Sequence, residues 1–146
     1  ELLIPFGQAN TLREGSDVVL MNSGVLLRYA IEAAEILEQD GIDAGVVNMP
    51  TVKPIDRDLI NDVARNVGAI VTLENHNVQG GFGSAVAEVL VNNYPVPTEF
   101  IGLQNEYSES APNDDLSERH RLTAPWVVAA AKRALERKNK DWSRRT

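Results

Sequence analysis

The sequence predicts an α/β domain built as a three-layer sandwich, with a mostly parallel sheet between two layers of helices. Short apolar runs typical of buried strands alternate along the chain with segments whose apolar residues recur at helical spacing. Strands joined through helices pair in parallel and leave helices on both faces of the sheet. The chain has 146 residues, which suits one domain of this kind.

Five segments are predicted as strands. The first, Gln8–Arg13, is short and mixed in polarity, which is typical of an edge strand. The other four follow along the chain, and the first three of them are predicted as buried strands of a parallel sheet. They cover residues 18–21, 44–49, 69–73 and 98–103.

The helices are predicted from their apolar stripes and their end signals. Gly41 and Gly68 are placed to end the first two helices, and Asp56 is a good N-cap for the second. The glycine-rich turn at 80–83 opens the third helix, and Thr123 caps the last. Between them, residues 104–122 are predicted to be irregular, with one helical turn at 114–119.

Composition excludes several classes of protein. The chain has no Cys, so it has no disulfide framework, thiolate zinc site or cysteine nucleophile. Its net charge of −7 repels phosphate backbones, so we expect no nucleic acid partner. No apolar run approaches the length of a membrane span, and we therefore expect no membrane partner.

The chain ends suggest a domain taken from a longer protein. Residue 1 is Glu rather than Met, and residues 1–7 resemble a linker from a missing upstream domain. We expect the folded domain to cover residues 8–138. The basic, polar residues 139–146 are predicted to form a flexible tail.

The candidate site lies at the carboxyl edge of the predicted sheet, where ligands and partners meet open parallel sheets. Asn22, Thr51, Glu74 and His76 all follow predicted strands on this edge. A polar cluster without a complete catalytic set suits a polar interface with another domain or subunit. We therefore predict no catalytic, cofactor-binding or metal-binding residue in this chain.

Two features of that edge have alternative interpretations. Glu74 beside His76 is compatible with proton transfer, but the favoured interpretation is that Glu74 satisfies local backbone N–H groups. Gly80, Gly81 and Gly83 at a helix start are compatible with anion binding. The favoured interpretation is that these glycines allow close backbone approach.

Several stretches together resemble the C-terminal domain of transketolase-type enzymes. They are Leu12–Val18, Val47–Asp56, Leu73–Glu88 and, late in the chain, Tyr107–Pro112 with Leu122–Ala124. The Glu-Asn-His and Gly-Gly-Phe-Gly-Ser pair looks closest to bacterial two-gene transketolases. Ser108 and Arg121 stand where that family has glycines. The resemblance implies a mixed five-stranded sheet with one antiparallel edge strand.

The resemblance also implies a parent enzyme that moves a two-carbon ketol unit between sugar phosphates of the pentose phosphate type. In that family, thiamine diphosphate and Mg²⁺ bind between two preceding domains, so the upstream domains or subunit would be the partner. The C-terminal domain contributes scaffold and homodimer contacts. We expect a cytoplasmic location and no activity from this chain alone.

Three alternatives stay open. Two are C-terminal domains of related enzymes, the beta subunit of a 2-oxoacid dehydrogenase and deoxyxylulose phosphate synthase. The third is a stand-alone Rossmann-like binding or regulatory module. That module needs glycines in the turn after the first parallel strand, where this chain offers only Gly24.

Overall fold

The computed structural model describes residues 3–105 and 113–145. Its strands are β1 (Asn10–Arg13), β2 (Val18–Ser23), β3 (Ala44–Asn48), β4 (Ile70–Asn77) and β5 (Thr98–Leu103). Its helices are α1 (Leu27–Gln39), α2 (Arg57–Asn66), α3 (Phe82–Asn92), α4 (Asn113–Arg119) and α5 (Ala124–Arg145). The stretch Tyr107–Pro112 that contributed to the resemblance lies within 106–112, outside the described residues.

The five strands form one mixed sheet in the order β1-β3-β2-β4-β5. Only the β1–β3 pair is antiparallel, and β1 lies at the edge. The β2–β3, β2–β4 and β4–β5 pairs are parallel. The predicted sheet, with its antiparallel edge strand, is therefore confirmed.

Alternating side chains of the strands feed two separate cores, one on each face of the sheet. On one face, Val18 and Leu20 of β2 pack with the alanine-rich sides of α1 and α5. On the other face, Val19 and Met21 pack with α2 and α3. This alternation gives the three-layer α/β/α sandwich.

Three of the predicted end signals of the helices, Gly41, Gly68 and Asp56, are confirmed. Thr123 Oγ1 donates instead to Glu118 Oε2 at 2.6 Å. Gly41 and Gly68 have positive φ angles of 75° and 81°, the left-handed region that favours glycine after a helix. Asp56 caps α2, because its Oδ1 accepts the Leu59 N–H at 3.1 Å. Its Oδ2 accepts the Ala9 N–H at 2.8 Å, which ties the segment before β1 to the start of α2.

Four boundaries differ clearly from the sequence expectation. β1 begins at Asn10 rather than Gln8, and the helical turn expected at 114–119 begins at Asn113. β4 continues to Asn77 because Glu74 still pairs with Ser23, and Asn77 with Leu103. α5 continues to Arg145, past the boundary expected at residue 138. The flexibility of residues 139–146 stays a prediction.

Candidate interface at the carboxyl edge of the sheet

The carboxyl edge is formed where β2, β3 and β4 end side by side. Asn22 pairs in register with Asn48 on one side and Leu73 on the other. Ser23 pairs with Glu74, one residue further along. The parallel topology therefore brings Asn22 and Glu74 to the same edge, as the sequence predicted.

Asn22 lies inside this edge and has no exposed surface. Its Nδ2 donates to the Gly24 carbonyl at 2.9 Å and to Asn48 Oδ1 at 3.2 Å. These bonds hold the turn after β2 against the end of β3. Asn22 is thus a buried bracing residue of the edge, not a surface group that would meet a partner directly.

Thr51 lies in the loop after β3 and is half-buried. Its Oγ1 accepts the Gly7 N–H at 3.4 Å, a long bond. The loop thereby contacts the segment that enters the domain. Within the described residues, this is the hydrogen bond that the structure gives Thr51.

Glu74 is 1% exposed, which is unusual for a carboxyl side chain. Its Oε1 accepts the Phe82 N–H at 2.9 Å, and its Oε2 accepts the Gly83 N–H at 2.7 Å. These amides belong to the first turn of α3, whose N–H groups lack partners within the helix. The favoured interpretation of Glu74, that it satisfies local backbone N–H groups, is confirmed.

Two opposing effects act on the pKa of Glu74. Burial raises the pKa because it disfavours the charged form, and this effect is the largest. The bonds from Gly83 and Phe82, and then the charge of His76, lower it. Burial prevails, so the pKa of Glu74 lies above its ordinary value.

Three glycines from different elements enclose the Glu74 side chain. A Cβ atom on Gly81 would overlap Oε1, and one on Gly83 would lie 3.2 Å from Oε2. A Cβ atom on Gly102 of β5 would lie 3.1 Å from Glu74 Cγ. We call this enclosure, formed by Gly81, Gly83 and Gly102, the glycine slot.

The prediction that the glycine turn allows close approach is correct for Gly81 and Gly83 but wrong for Gly80. A Cβ atom on Gly80 would meet nothing within 4 Å. Glycine suits this position because φ is 77°, in the left-handed region. The turn is closed by Gly80 N–H donating to Ser84 Oγ at 3.0 Å, and by Ser84 Oγ donating to the Val78 carbonyl at 2.7 Å.

His76 is exposed and lies beside an open pocket of about 510 Å³ at this edge. The turn after β2, the loop after β3 and the glycine turn all contribute to this pocket. Its lining is Ser23, Gly24, Val52, Glu74, His76, Asn77, Gln79, Gly80, Gly81 and Phe82. We call it the His76 pocket.

The structure therefore brings four of the seven predicted residues together around one pocket. Glu74, His76, Gly80 and Gly81 line it. The other three predicted residues do not line the pocket. Asn22 is buried behind the edge, and Thr51 faces Gly7. Gly83 packs against Phe100 and Thr72. The predicted edge is one surface, but its polar groups serve different local contacts.

A larger groove of about 930 Å³ lies away from this edge. It runs between the entering segment, β1 and α2, and its walls include Phe6, Arg13, Asp58 and Val63. Asp56, also in its wall, is already engaged by Ala9 and Leu59. The groove brings no set of residues together that would perform acid–base or nucleophilic chemistry.

The edge does not fit a diphosphate with its metal. The N-terminus of α3 is filled by the chain's own carboxyl group, and an ionised Glu74 would repel a second anion there. Within residues 3–105 and 113–145, no group of three or more His, Cys, Asp or Glu side chains is placed to hold a metal ion. We derive no chemical step through such a cofactor on this chain.

Gly102 is the member of the slot that the sequence prediction missed. A glycine inside a strand marks a site where another group approaches the backbone closely, so its place in the run 98–103 carried that signal. Nothing in the sequence pairs Gly102 with Glu74, because the two belong to strands joined through α3. Their contact depends on the β4–β5 pairing.

No helix within the described part of the chain combines the length and apolar character that crossing a bilayer requires.

Comparison with known proteins assigns the chain to a family. Residues 7–127 match the family model described as the transketolase C-terminal domain. A 6-deoxy-6-sulfo-D-fructose transketolase subunit from Clostridium sp. (strain MSTE9) is 44% identical over 133 residues, covering 91% of this chain and 41% of the relative. A 1-deoxy-D-xylulose-5-phosphate synthase from Heliobacterium modesticaldum is 42% identical over 130 residues, covering 88% of this chain and 20% of the relative.

A solved structure gives the same result. A split-gene transketolase described as an inactive beta4 tetramer superposes with a TM-score of 0.88 at 47% identity, over 92% of this chain and 44% of that one. The chain thus spans less than half the length of these relatives. Sequence and fold agree over nearly the whole chain, which belongs to the transketolase C-terminal domain family.

Proposed function

We propose that this chain is the C-terminal scaffold and subunit-contact domain of a transketolase-like enzyme that transfers a two-carbon ketol unit between sugar phosphates. The parent would act in pentose phosphate chemistry in the cytoplasm. The observation that carries the proposal is the similarity to a split-gene transketolase over 92% of the chain, at 47% identity. Family membership favours this function over a stand-alone binding or regulatory module.

In this proposal the thiamine diphosphate and its Mg²⁺ belong to the upstream domains or subunit. Two features of the carboxyl edge support that division. Glu74 already fills the α3 N-terminus, and the described residues offer no metal ligand set. The cofactor would supply the carbanion chemistry, and this chain would supply a rigid surface against which the catalytic parts assemble.

The carboxyl edge is the surface that we propose for this contact, whether with the upstream part or with a second copy in a homodimer. It combines apolar and polar groups in the manner of a subunit interface. Val25 is 69% exposed in the turn before α1, and Val52 and His76 lie at the rim of the His76 pocket.

Deoxyxylulose phosphate synthase is the second candidate for the parent. The supporting observation is the 42% identity over 130 residues with the Heliobacterium enzyme. The same domain would have the same scaffold role there. Only the product formed by the whole enzyme separates these two functions.

The test uses the longer protein or subunit pair that contains this chain. Val25→Asp places a charge on the carboxyl edge. Val91→Asp is the matched control. Val91 is 73% exposed and lies in the last turn of α3, whereas the first turn of α3 lies at the carboxyl edge. We expect Val25→Asp to weaken assembly and ketol transfer at least about tenfold, since a charge buried in an interface is costly. Val91→Asp should leave both unchanged.

Two assays read the result. Ketol transfer between xylulose 5-phosphate and ribose 5-phosphate is compared with formation of 1-deoxyxylulose 5-phosphate, and assembly is measured by light scattering. Ketol transfer supports the first function, and formation of the deoxy sugar supports the second. Equal assembly of the two variants would contradict the edge as the contact surface, and an inactive wild-type assembly would contradict both enzymes.

A further inference from the structure

Glu74 does more than fill a helix end, because its surroundings leave space for one side-chain shape. The glycine slot borders its oxygens from the turn and from α3, and its Cγ from β5. Each carboxyl oxygen accepts one backbone N–H, at 2.9 and 2.7 Å. The side chain is 1% exposed, so water does not compete for these bonds.

We propose that Glu74 is a positioning residue, whose two-oxygen clamp on α3 fixes the glycine turn and thereby the shape of the His76 pocket. The proposal concerns the shape of this edge and does not depend on which enzyme the parent is. The clamp is a carboxyl-sized site occupied by the chain's own side chain. Emptying it by mutation leaves a cavity that a small external carboxylate fits.

The turn from Val78 to Gly81 connects the clamp to the pocket. Gly81 N–H donates to the Val78 carbonyl at 3.1 Å, and Phe82, the next residue, donates to Glu74. Gln79, Gly80 and Gly81 line the His76 pocket directly. A shift of the α3 N-terminus away from β4 therefore moves the wall of the pocket.

The two-oxygen geometry distinguishes Glu from Gln at this position. A Gln side chain has the same length, but it offers one acceptor oxygen and a donor NH₂ group. The NH₂ group would face a second backbone N–H, which would be left without an acceptor. An unpaired buried donor costs more than the net value of the bond it loses.

The control is Thr72→Val on the same strand. Thr72 is fully buried, and its side chain points to the same face as Glu74, two residues away. Its Oγ1 has no hydrogen-bond partner among the described residues. The change keeps the side-chain shape and removes a hydroxyl that makes no described bond, so it tests perturbation of the core without loss of the clamp.

The first measurement is amide hydrogen exchange of the chain by NMR. In Glu74→Gln we expect the Phe82 or Gly83 amide to exchange about tenfold faster than in wild type, the factor expected for loss of one buried hydrogen bond. The amides of β2 and β3 should not change. In Thr72→Val the Phe82 amide, which is not next to Thr72, should keep its wild-type rate. Unchanged exchange in Glu74→Gln would overturn the proposal.

The second measurement is chemical rescue of Glu74→Ala. Formate should raise the melting temperature of this variant more than that of wild type or Thr72→Val, because it binds the emptied site. Formamide at the same concentration should not. An equal effect of formate on all three proteins would overturn the carboxyl-sized site. If Glu74→Ala does not fold without formate, the exchange rates in Glu74→Gln decide the outcome.

Discussion

Glycines permit close contacts at both ends of the sheet, but the two ends use them differently. At the amino end, Gly15 lies against the start of β3, and a Cβ atom on Gly15 would lie 2.7 Å from Gly45 Cα and overlap the peptide before it. That contact is backbone against backbone. At the carboxyl end, the glycine slot encloses a single ionisable side chain, Glu74.

The comparison shows that similar crowding has different physical consequences. The amino-end contact is steric only, and its neighbour is a β-strand that pairs on both sides. The carboxyl-end contact is steric and electrostatic, and its neighbours besides Glu74 include three side chains, Phe100, Thr72 and Val78, together with two backbone carbonyls. We therefore expect the amino end to be less tolerant of substitution, and the carboxyl end to respond to pH through Glu74.

The largest effect is expected for Gly15→Ala. Its Cβ atom would overlap backbone that is held by two strand pairings, so relief requires displacing β3. We expect a loss of at least about 3 kcal/mol in the free energy of unfolding, measured by urea denaturation. Gly45→Ala is the control, because its Cβ contacts begin at 3.1 Å, and it should cost less. A tolerated Gly15→Ala would remove the steric half of the comparison.

Gly83→Val is expected to have a smaller effect. Its Cβ atom would lie 2.6 Å from Phe100 Cδ1 and 2.7 Å from Thr72 Oγ1, which are side-chain atoms rather than backbone. Overpacking of this kind costs roughly 1–3 kcal/mol. Gly83→Ala should fall between Gly83→Val and wild type in the same denaturation series. The reverse order would show that the slot is not limited by volume.

Gly80→Ala tests conformation without crowding. Gly80 has φ of 77° and open space around its Cα, so only the left-handed backbone is penalised. We expect a loss of about 1 kcal/mol. Gly41→Ala makes a matched pair, with φ of 75° and nothing within 4 Å. A much larger loss at Gly80 alone would point to a steric role that the structure does not give it.

The pH dependence of stability separates the carboxyl end from the amino end. Because the pKa of Glu74 is raised on folding, the folded state holds its proton more tightly than the unfolded state. The stability from this group is present in full below its unfolded pKa, and it is lost as pH rises through the folded pKa. Among ionisable groups, His76 acts on the pKa of Glu74 through its charge. The residues that face Glu74 from the neighbouring elements are uncharged. They are Ser23 of β2, Gly102 of β5, and Phe82 and Gly83 of α3.

The difference in unfolding free energy between wild type and Glu74→Gln isolates this titration, since other groups cancel. We expect the difference to fall as pH rises above the ordinary carboxyl pKa of 4.5. The corresponding difference for Gly15→Ala should be flat across the same range. A Glu74→Gln difference that grows with pH would mean that the backbone bonds outweigh burial.

The last prediction is that addition of the cofactor has no effect on stability. Millimolar thiamine diphosphate with Mg²⁺ should leave the melting temperature of the chain unchanged, because the α3 N-terminus is filled by Glu74 and a ligand stabilises only a state that it binds. A clear upward shift of the melting temperature of the wild-type chain with thiamine diphosphate and Mg²⁺, but not with Mg²⁺ alone, would show that a cofactor site exists on this chain.

Much of the fold follows from local patterns. The apolar runs predicted each buried strand, and Asp56, Gly41 and Gly68 marked helix ends that the structure confirms. The site was only partly predictable. Which groups lie on the carboxyl edge follows from topology, but the burial of Glu74 depends on the extension of β4 and on Gly102, which is distant in sequence. Predicting such contacts requires the order of the strands in the sheet, which the local spacing of residues does not encode.

The carboxyl group of Asp56 joins two parts of the chain at one point. One oxygen holds the first turn of α2, and the other holds the Ala9 amide just ahead of β1. A displacement of the Ala9 amide is therefore coupled to the first turn of α2 through the two oxygens of one carboxyl group. In mechanical terms, Asp56 links the position of the segment ahead of β1 to the orientation of the α2 N-terminus.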